Sequence, residues 1–146
     1  MKPAWILVAD SSHARIFSAE NSAADLIEIE TLMHSQARMH EQKLDSDLPG
    51  KGRGSYGGGG HAYDDEISPK EQEEINFAKA VSSYLCDKLN QNLFDRLFII
   101  AAPAFLGDLR HAFSNQVAKH VTFTLDKNVT DLAPKRIRGY LPLSLA

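Results

Sequence analysis

The stretch Gly50-Lys51-Gly52-Arg53-Gly54-Ser55-Tyr56-Gly57-Gly58-Gly59-Gly60-His61-Ala62-Tyr63 holds the residue types that point most directly to chemistry. Seven of the nine glycines in the chain fall between Gly50 and Gly60, and from Gly50 to Tyr63 there are two cations and no acid. Freely accessible backbone N–H groups, Lys51 and Arg53, and the faces of Tyr56, His61 and Tyr63 suit a phosphate backbone and a stacked base. So dense a glycine tract carries a heavy ordering entropy and offers few side chains to pack, so it is expected to be mobile when unbound. Gly52 to Gly57 matches G-x-G-x-x-G by count, but a dinucleotide site needs that motif to leave a strand and open a helix. Polar loop flanks it on both sides, and no Gly-Lys-Ser/Thr follows at the spacing of a phosphate-binding loop. Asp64-Asp65-Glu66 close the stretch and repel phosphates. A solvated glycine loop and a protein-binding loop are the competing readings of these residues.

The other reactive side chains suggest less. Of six histidines, His34, His40 and His61 lie in or beside this region, and their spacing fits no metal-ligand motif. No metal and no cofactor is expected. Asp10, Ser11, Ser12 and His13 contain the residue types of a hydrolytic triad, but neighbours in a chain cannot aim at one another in that relay; they read as a turn. Cys86 is the only cysteine, so it forms no internal disulfide, and it sits among helical apolar positions as a buried filler. Lys135, Arg136 and Arg138 make a small cationic patch, read as a solvated helix end or a secondary phosphate contact. No residue is assigned a catalytic role, and His61 is the single candidate for one.

These residues belong to a chain of 146, the size of one domain, with 43% hydrophobic and 24% charged residues. Sixteen Lys+Arg against nineteen Asp+Glu give a net charge of -3, which excludes a globally basic nucleic-acid binder but not a local basic patch. No apolar run approaches the ~18 residues of a membrane helix, and the apolar run near the start is too short for a signal peptide. A cytoplasmic protein without membrane association is expected.

The elements that must position the glycine tract are legible from apolar patterning. Trp5 to Ala9 is a continuous apolar run, a strand buried on both faces. His13 to Ser18 forms a hairpin with it, and Leu26 to Leu32 alternates at period two, with Ile27, Ile29 and Thr31 on one face and Glu28, Glu30 and Leu32 on the other. Between about His34 and Ile67 periodicity is lost, apart from a helical turn or two at Arg38–Leu44. A loop of such length is usually functional or disordered. Ser68-Pro69-Lys70-Glu71 is a capping box with proline at the first helical position, and Ile75, Ala78, Val81, Leu85 and Leu89 carry the helix to about Leu93. Leu97–Ala102 is a central strand; Leu106, Leu109, Phe113 and Val117 mark a second helix. Val121–Leu125 is a fifth strand, and Pro134–Arg138 a short last helix. The order β-β-β-α-β-α-β-α predicts an α/β domain spanning 1–146. Its mixed five-stranded sheet has strand order 3-2-1-4-5 and helices on both faces, the ribonuclease H-like topology. The Gly-rich loop, about 45–66, lies between the third strand and the first long helix.

A metal-dependent nuclease on that sheet needs converging carboxylates. Asp10 ends the first strand suitably, but the central strand ends Ile100-Ala101-Ala102-Pro103 without an acid, Asp108 lies a helical turn and a half further on, and Glu71, Glu73 and Glu74 complement a helix dipole.

Ile6-Leu7-Val8-Ala9-Asp10, Ala14-Arg15-Ile16-Phe17, the glycine-rich insertion and Ala102-Pro103-Ala104-Phe105-Leu106-Gly107-Asp108-Leu109-Arg110 together resemble the bacterial family of proteins required for attachment to host cells, over essentially the whole chain. That family is similar to the central domain of archaeo-eukaryotic peptide-chain release factors and Pelota, which is ribonuclease H-like. In the release factors a loop in the equivalent region carries Gly-Gly-Gln, which coordinates the water that cleaves peptidyl-tRNA. Here Gly57-Gly58-Gly59-Gly60-His61 contains no glutamine, so hydrolysis would fall to His61. Within the helix segment, Gly107 is expected to allow close helix–sheet packing and Arg110 to tie the helix to Asp10 or a carbonyl.

The reading is a non-catalytic binding domain that contacts RNA or the translation apparatus (tRNA, rRNA or the ribosome) through Lys51, Arg53, Tyr56, Gly57, Gly58, Gly59, Gly60 and His61. Lys135, Arg136 and Arg138 are the secondary phosphate contact. Two alternatives remain: a hydrolase of peptidyl-tRNA or a related ester using His61, and an adaptor for a protein partner that affects attachment indirectly. The sequence leaves the oligomeric state open.

Overall fold

Ala4–Ala9 forms β1, with all six residues buried, as a continuous apolar run requires. In the computed structural model, which describes residues 2–34 and 68–146, β1 lies at the middle of a five-stranded sheet. The remaining elements are β2 (His13–Ala19), β3 (Ile27–Met33), α1 (Pro69–Asn90), β4 (Arg96–Ala101), α2 (Pro103–Ala112), α3 (Asn115–Lys119), β5 (Val121–Asp126) and α4 (Pro134–Arg138). The strand order is β3-β2-β1-β4-β5, as expected from the element sequence. β1–β2 and β2–β3 pair antiparallel; β1–β4 and β4–β5 pair parallel. The glycine tract and the turns expected at Arg38–Leu44 lie outside the described residues.

Strand alternation divides the core in two. Trp5, Leu7, Ala9, Leu97 and Ile99 face α1, α2 and α3, where Phe77, Val81, Leu85, Leu109 and Val117 cover them. Ala4, Ile6, Val8, Phe17, Phe98 and Ile100 face the opposite way and are covered by Val129, Ile137, Leu141 and Leu145. Helices therefore lie on both faces, although α4 is a single short one and chain on either side of it completes that layer. Arg96 secures this layer at its end by donating to the carbonyls of Leu145 and Lys2.

Local chemistry sets the boundaries. The Ser68 hydroxyl accepts from the Glu71 N–H and the Glu71 carboxylate accepts from the Ser68 N–H, both at 3.1 Å, so the capping box starts α1 as read from sequence. The helix stops at Asn90, short of Leu93, because Asn92 turns the chain in the left-handed region at φ 62°, which asparagine tolerates.

Three expectations are corrected. The helix expected to run through Val117 breaks at Phe113, whose extended backbone (ψ 136°) leads into Ser114, and the Ser114 hydroxyl caps α3 by accepting from Val117 N–H at 3.2 Å. A bulge interrupts β3: Ile16 pairs with Glu30 but Phe17 with Glu28, leaving Ile29 as the extra residue. Glu28 consequently shares a face with Thr31, whose hydroxyl donates to it at 2.6 Å, rather than with Glu30. The third correction concerns Gly107: a Cβ built there meets no atom within 4 Å, so the glycine does not serve close helix–sheet packing. Gly107→Ala is expected to raise stability by about 1 kcal/mol through helix propensity alone, measured by urea denaturation; a loss would mean that α2 needs the bare backbone.

Candidate functional site

The parallel strands β1, β4 and β5 end on one edge of the sheet. β3 runs in the same direction as β1, so it ends there too, and α1 and α2 begin there. In open α/β sheets the crevice outside the carboxyl ends of the strands, where the strand order reverses, is the usual ligand edge. Here the reversal falls between β1 and β4.

Both ends of the segment 35–67 are rooted on this edge. At one end, His34 donates its backbone N–H to the Ser12 carbonyl at 2.8 Å, and its Nδ1 lies 2.8 Å from the Ser11 carbonyl. Its ring stacks on Phe77 of α1 with centroids 5.2 Å apart and planes 11° from parallel; Phe77 in turn stacks on Phe105 of α2 at 5.6 Å. At the other end is the capped Ser68. His34 read from sequence as one more polar loop histidine, yet it is 8% exposed and fastens β3, the β1–β2 turn and α1 together.

Asp10 organises the turn beside it. One carboxylate oxygen accepts from the N–H groups of Ser12 and His13, both at 2.8 Å, which is the turn chemistry expected from the sequence. The other accepts from the Thr130 hydroxyl at 3.0 Å and from Asn128 Nδ2 at 3.4 Å. That hydroxyl also lies 2.8 Å from Asn128 Oδ1, so its one proton is shared between two acceptors. Burial acts to raise the Asp10 pKa, but the Ser12 and His13 N–H groups, the Thr130 hydroxyl and the nearby His13 ring outweigh it and hold the carboxyl below its ordinary value. Both oxygens are thus committed to the fold. Among the described residues no three His, Cys, Asp or Glu side chains are grouped to hold a metal ion.

Arg15 extends the same fastening. Its Nε and Nη2 form a two-point pair with Glu28 at 3.2 and 3.0 Å, and its Nη1 donates to the carbonyls of Thr130 and Leu132, each at 2.8 Å. The guanidinium carbon lies 5.0 Å from the centre of the Phe17 ring. The hydrogen bond from Arg15 leads in holding the Glu28 carboxyl low, against the effect of burial and with help from Thr31. The only signal of this in the sequence was a charge inside an otherwise apolar strand. Nothing in it identified Thr130 or Leu132 as partners.

On α2, burial leads in raising the Asp108 carboxyl; Glu71 at the start of α1 adds to the effect, and His111 opposes it. Arg110 does not reach Asp10, which points to the other face of the sheet; its Nη2 donates to the Thr124 hydroxyl at 3.3 Å. Cys86 is half-buried at the margin of the helical core rather than wholly enclosed, with Asn90 and Ser114 polar atoms each 3.9 Å from its sulfur.

The residues singled out from the sequence separate by position. Lys51, Arg53, Tyr56, Gly57, Gly58, Gly59, Gly60 and His61 lie outside the described residues. Lys135 and Arg136 are exposed on α4. Arg138 is half-buried and donates to the carbonyls of Pro142 at 2.8 Å, Leu143 at 2.9 Å and Ser22 at 3.0 Å. Ser22 lies in the β2–β3 turn, at the opposite end of the sheet from His34. A seven-residue strand, on the order of 20 Å, therefore separates this patch from the edge where segment 35–67 is rooted.

No described helix is long and apolar enough to cross a membrane. No curated protein matches the chain. The family model described as "Protein required for attachment to host cells" matches residues 5–141, from the first core residues of β1 to the last turn after α4. With nearly the whole fold inside that match, the chain belongs to the family of proteins required for attachment to host cells.

Proposed function

We propose that the chain is a non-catalytic cytoplasmic binding domain that contacts RNA or the translation apparatus through segment 45–66, with Lys51, Arg53, Tyr56, Gly57–Gly60 and His61 as the contacting residues. In this reading the sheet is ribonuclease H-like and related to the central domain of the release factors and Pelota. The observed strand order 3-2-1-4-5 is compatible with that relationship.

One observation carries the reading: both ends of the segment emerge at the carboxyl edge of β1 and β4, beside the N-termini of α1 and α2, where this class of sheet presents ligands. A polyanion approaching there meets the start of α2, whose first turn carries no acid, while Asp10, Arg15 and Glu28 are tied into structure. With Arg138 occupied by carbonyls, the secondary phosphate contact falls mainly to Lys135 and Arg136. They lie far enough away that only an extended polyanion spans both.

The test is co-purification with ribosomes or tRNA, comparing the intact chain with one lacking Gly50–His61. Deletion is expected to abolish association without changing the melting temperature of the domain; unchanged association rejects the reading. Turnover of a peptidyl-tRNA ester that His61→Ala abolishes would establish the hydrolase instead. Co-purification with one protein that salt does not weaken would establish the adaptor.

A further inference from the structure

The segment Leu106-Gly107-Asp108-Leu109-Arg110 builds a feature that the fold does not account for. Residues of α2, of the chain where the helix breaks at Phe113, of α3 and of β5 line a cleft of about 200 Å³ on the helical face of the sheet. Ile99 and Leu106, 1% and 3% exposed, lie at its base, with Phe113 and Val121 at its sides. The short side chain of Ala118 leaves the space unfilled. The polar groups lining it are Arg110 and Thr124, and they touch each other only at 3.3 Å.

Arg110 is the unusual member. Arg110 is exposed at the mouth of the cleft, whereas the half-buried arginines are committed: Arg15 to Glu28 and two carbonyls, Arg96 to Asp95 and two carbonyls, Arg138 to three carbonyls. Among the described residues Arg110 has no carboxylate within ion-pair distance. The acid that shares its face of β5, Asp126, lies two residues, or about 7 Å, past Thr124. A guanidinium over an apolar pocket has room to bind an anion in the two-point geometry that carboxylates accept.

We propose that this cleft binds a small amphipathic monocarboxylate, its carboxylate on Arg110 and Thr124 and its hydrocarbon part on Ile99, Leu106, Phe113 and Val121. The volume suits roughly six to eight non-hydrogen atoms at liquid-like density, too few for a drug-sized ligand or a nucleotide. None of the residues lining this site holds His34 or Ser68, and it does not depend on how segment 35–67 functions.

The experiment is a ¹⁵N chemical-shift titration of the full 146-residue chain with hexanoate, and in parallel with hexanamide, which has the same shape without the charge. Saturable shifts are expected at Leu106, Arg110, Phe113, Ala118, Val121 and Thr124, with hexanamide about tenfold weaker. Arg110→Gln is expected to raise the Kd for hexanoate about tenfold, since one charge-assisted contact is lost. Ala118→Leu, which fills the space while keeping Arg110, is expected to abolish saturation with the rest of the spectrum unchanged. Non-saturating shifts, shifts scattered over other cationic surface, equal binding of hexanamide, or an Arg110→Gln variant with unaltered Kd would each overturn the proposal.

Discussion

Arg15→Ala is expected to cost about 3 kcal/mol of folding stability, equivalent to a fall in melting temperature of about 10 °C for a domain of this size. The side chain is only 17% exposed and makes four hydrogen bonds of two kinds. Two join it to Glu28 and two hold the carbonyls of Thr130 and Leu132 against β2. Truncation leaves Glu28 without its counter-charge and two part-buried carbonyls without donors, and unmade bonds of that kind are more costly than the net gain from making them. Glu28→Gln should cost less, about 1 kcal/mol, because the carbonyl bonds survive. Arg15→Lys should recover less than half, since one ammonium cannot reproduce a planar fork engaged on both sides. Urea denaturation of the three variants checks the ranking. A loss below 1 kcal/mol for Arg15→Ala would mean that the layer of chain after β5 does not depend on this clamp.

Asp10→Asn is expected to cost about 2 kcal/mol at neutral pH, with a cost that disappears in acid. Asp10 and Glu28 are both held below their ordinary values of 3.8 and 4.5. A carboxyl with a lowered folded pKa stabilises fully at pH values above its unfolded pKa, and the contribution is lost as pH falls through the folded value. The intact chain should therefore lose stability progressively below about pH 4.5, while Asp10→Asn, lacking one of the two titrating groups, shows a shallower acid limb. Asp108 works in the opposite sense: its raised pKa means the folded state takes up that proton first, which slightly offsets the loss as pH falls. The check is stability against pH for the intact chain and for Asp10→Asn. Parallel curves would show that Asp10 is not charged in the bonds the structure gives it.

Both predictions concern fastenings that the sequence reveals only in part, because each also joins residues more than a hundred positions apart. The local signals behaved differently. Trp5–Ala9 and Leu97–Ala102 read as buried strands because their apolar runs record a two-sided environment directly, and Ser68 with Glu71 marked a helix start because a capping box is complete within four residues. Strand order followed from short connections and crossover handedness. The bulge at Ile29 was hidden because Ile27, Ile29 and Thr31 keep a regular alternation that the pairing with β2 does not respect. The break before α3 was marked by Ser114, but apolar spacing through Val117 masked its capping signal. Arg110 was expected to tie α2 to Asp10 or a carbonyl; alternation sends Asp10 to the other face, where Thr130 and Asn128 meet it.

The proposal that Lys51 and Arg53 deliver the chain to a polyanion is tested most directly by the salt dependence of tRNA binding. Fluorescence anisotropy across about 50–200 mM salt gives the slope of log K against log salt, which counts the phosphate contacts made. The intact chain should show a steep negative slope. The double variant Lys51→Ala/Arg53→Ala should bind more weakly, with a slope reduced in magnitude by about 1.5, two contacts at roughly 0.7–0.9 each. An identical slope and affinity in the double variant would contradict the account.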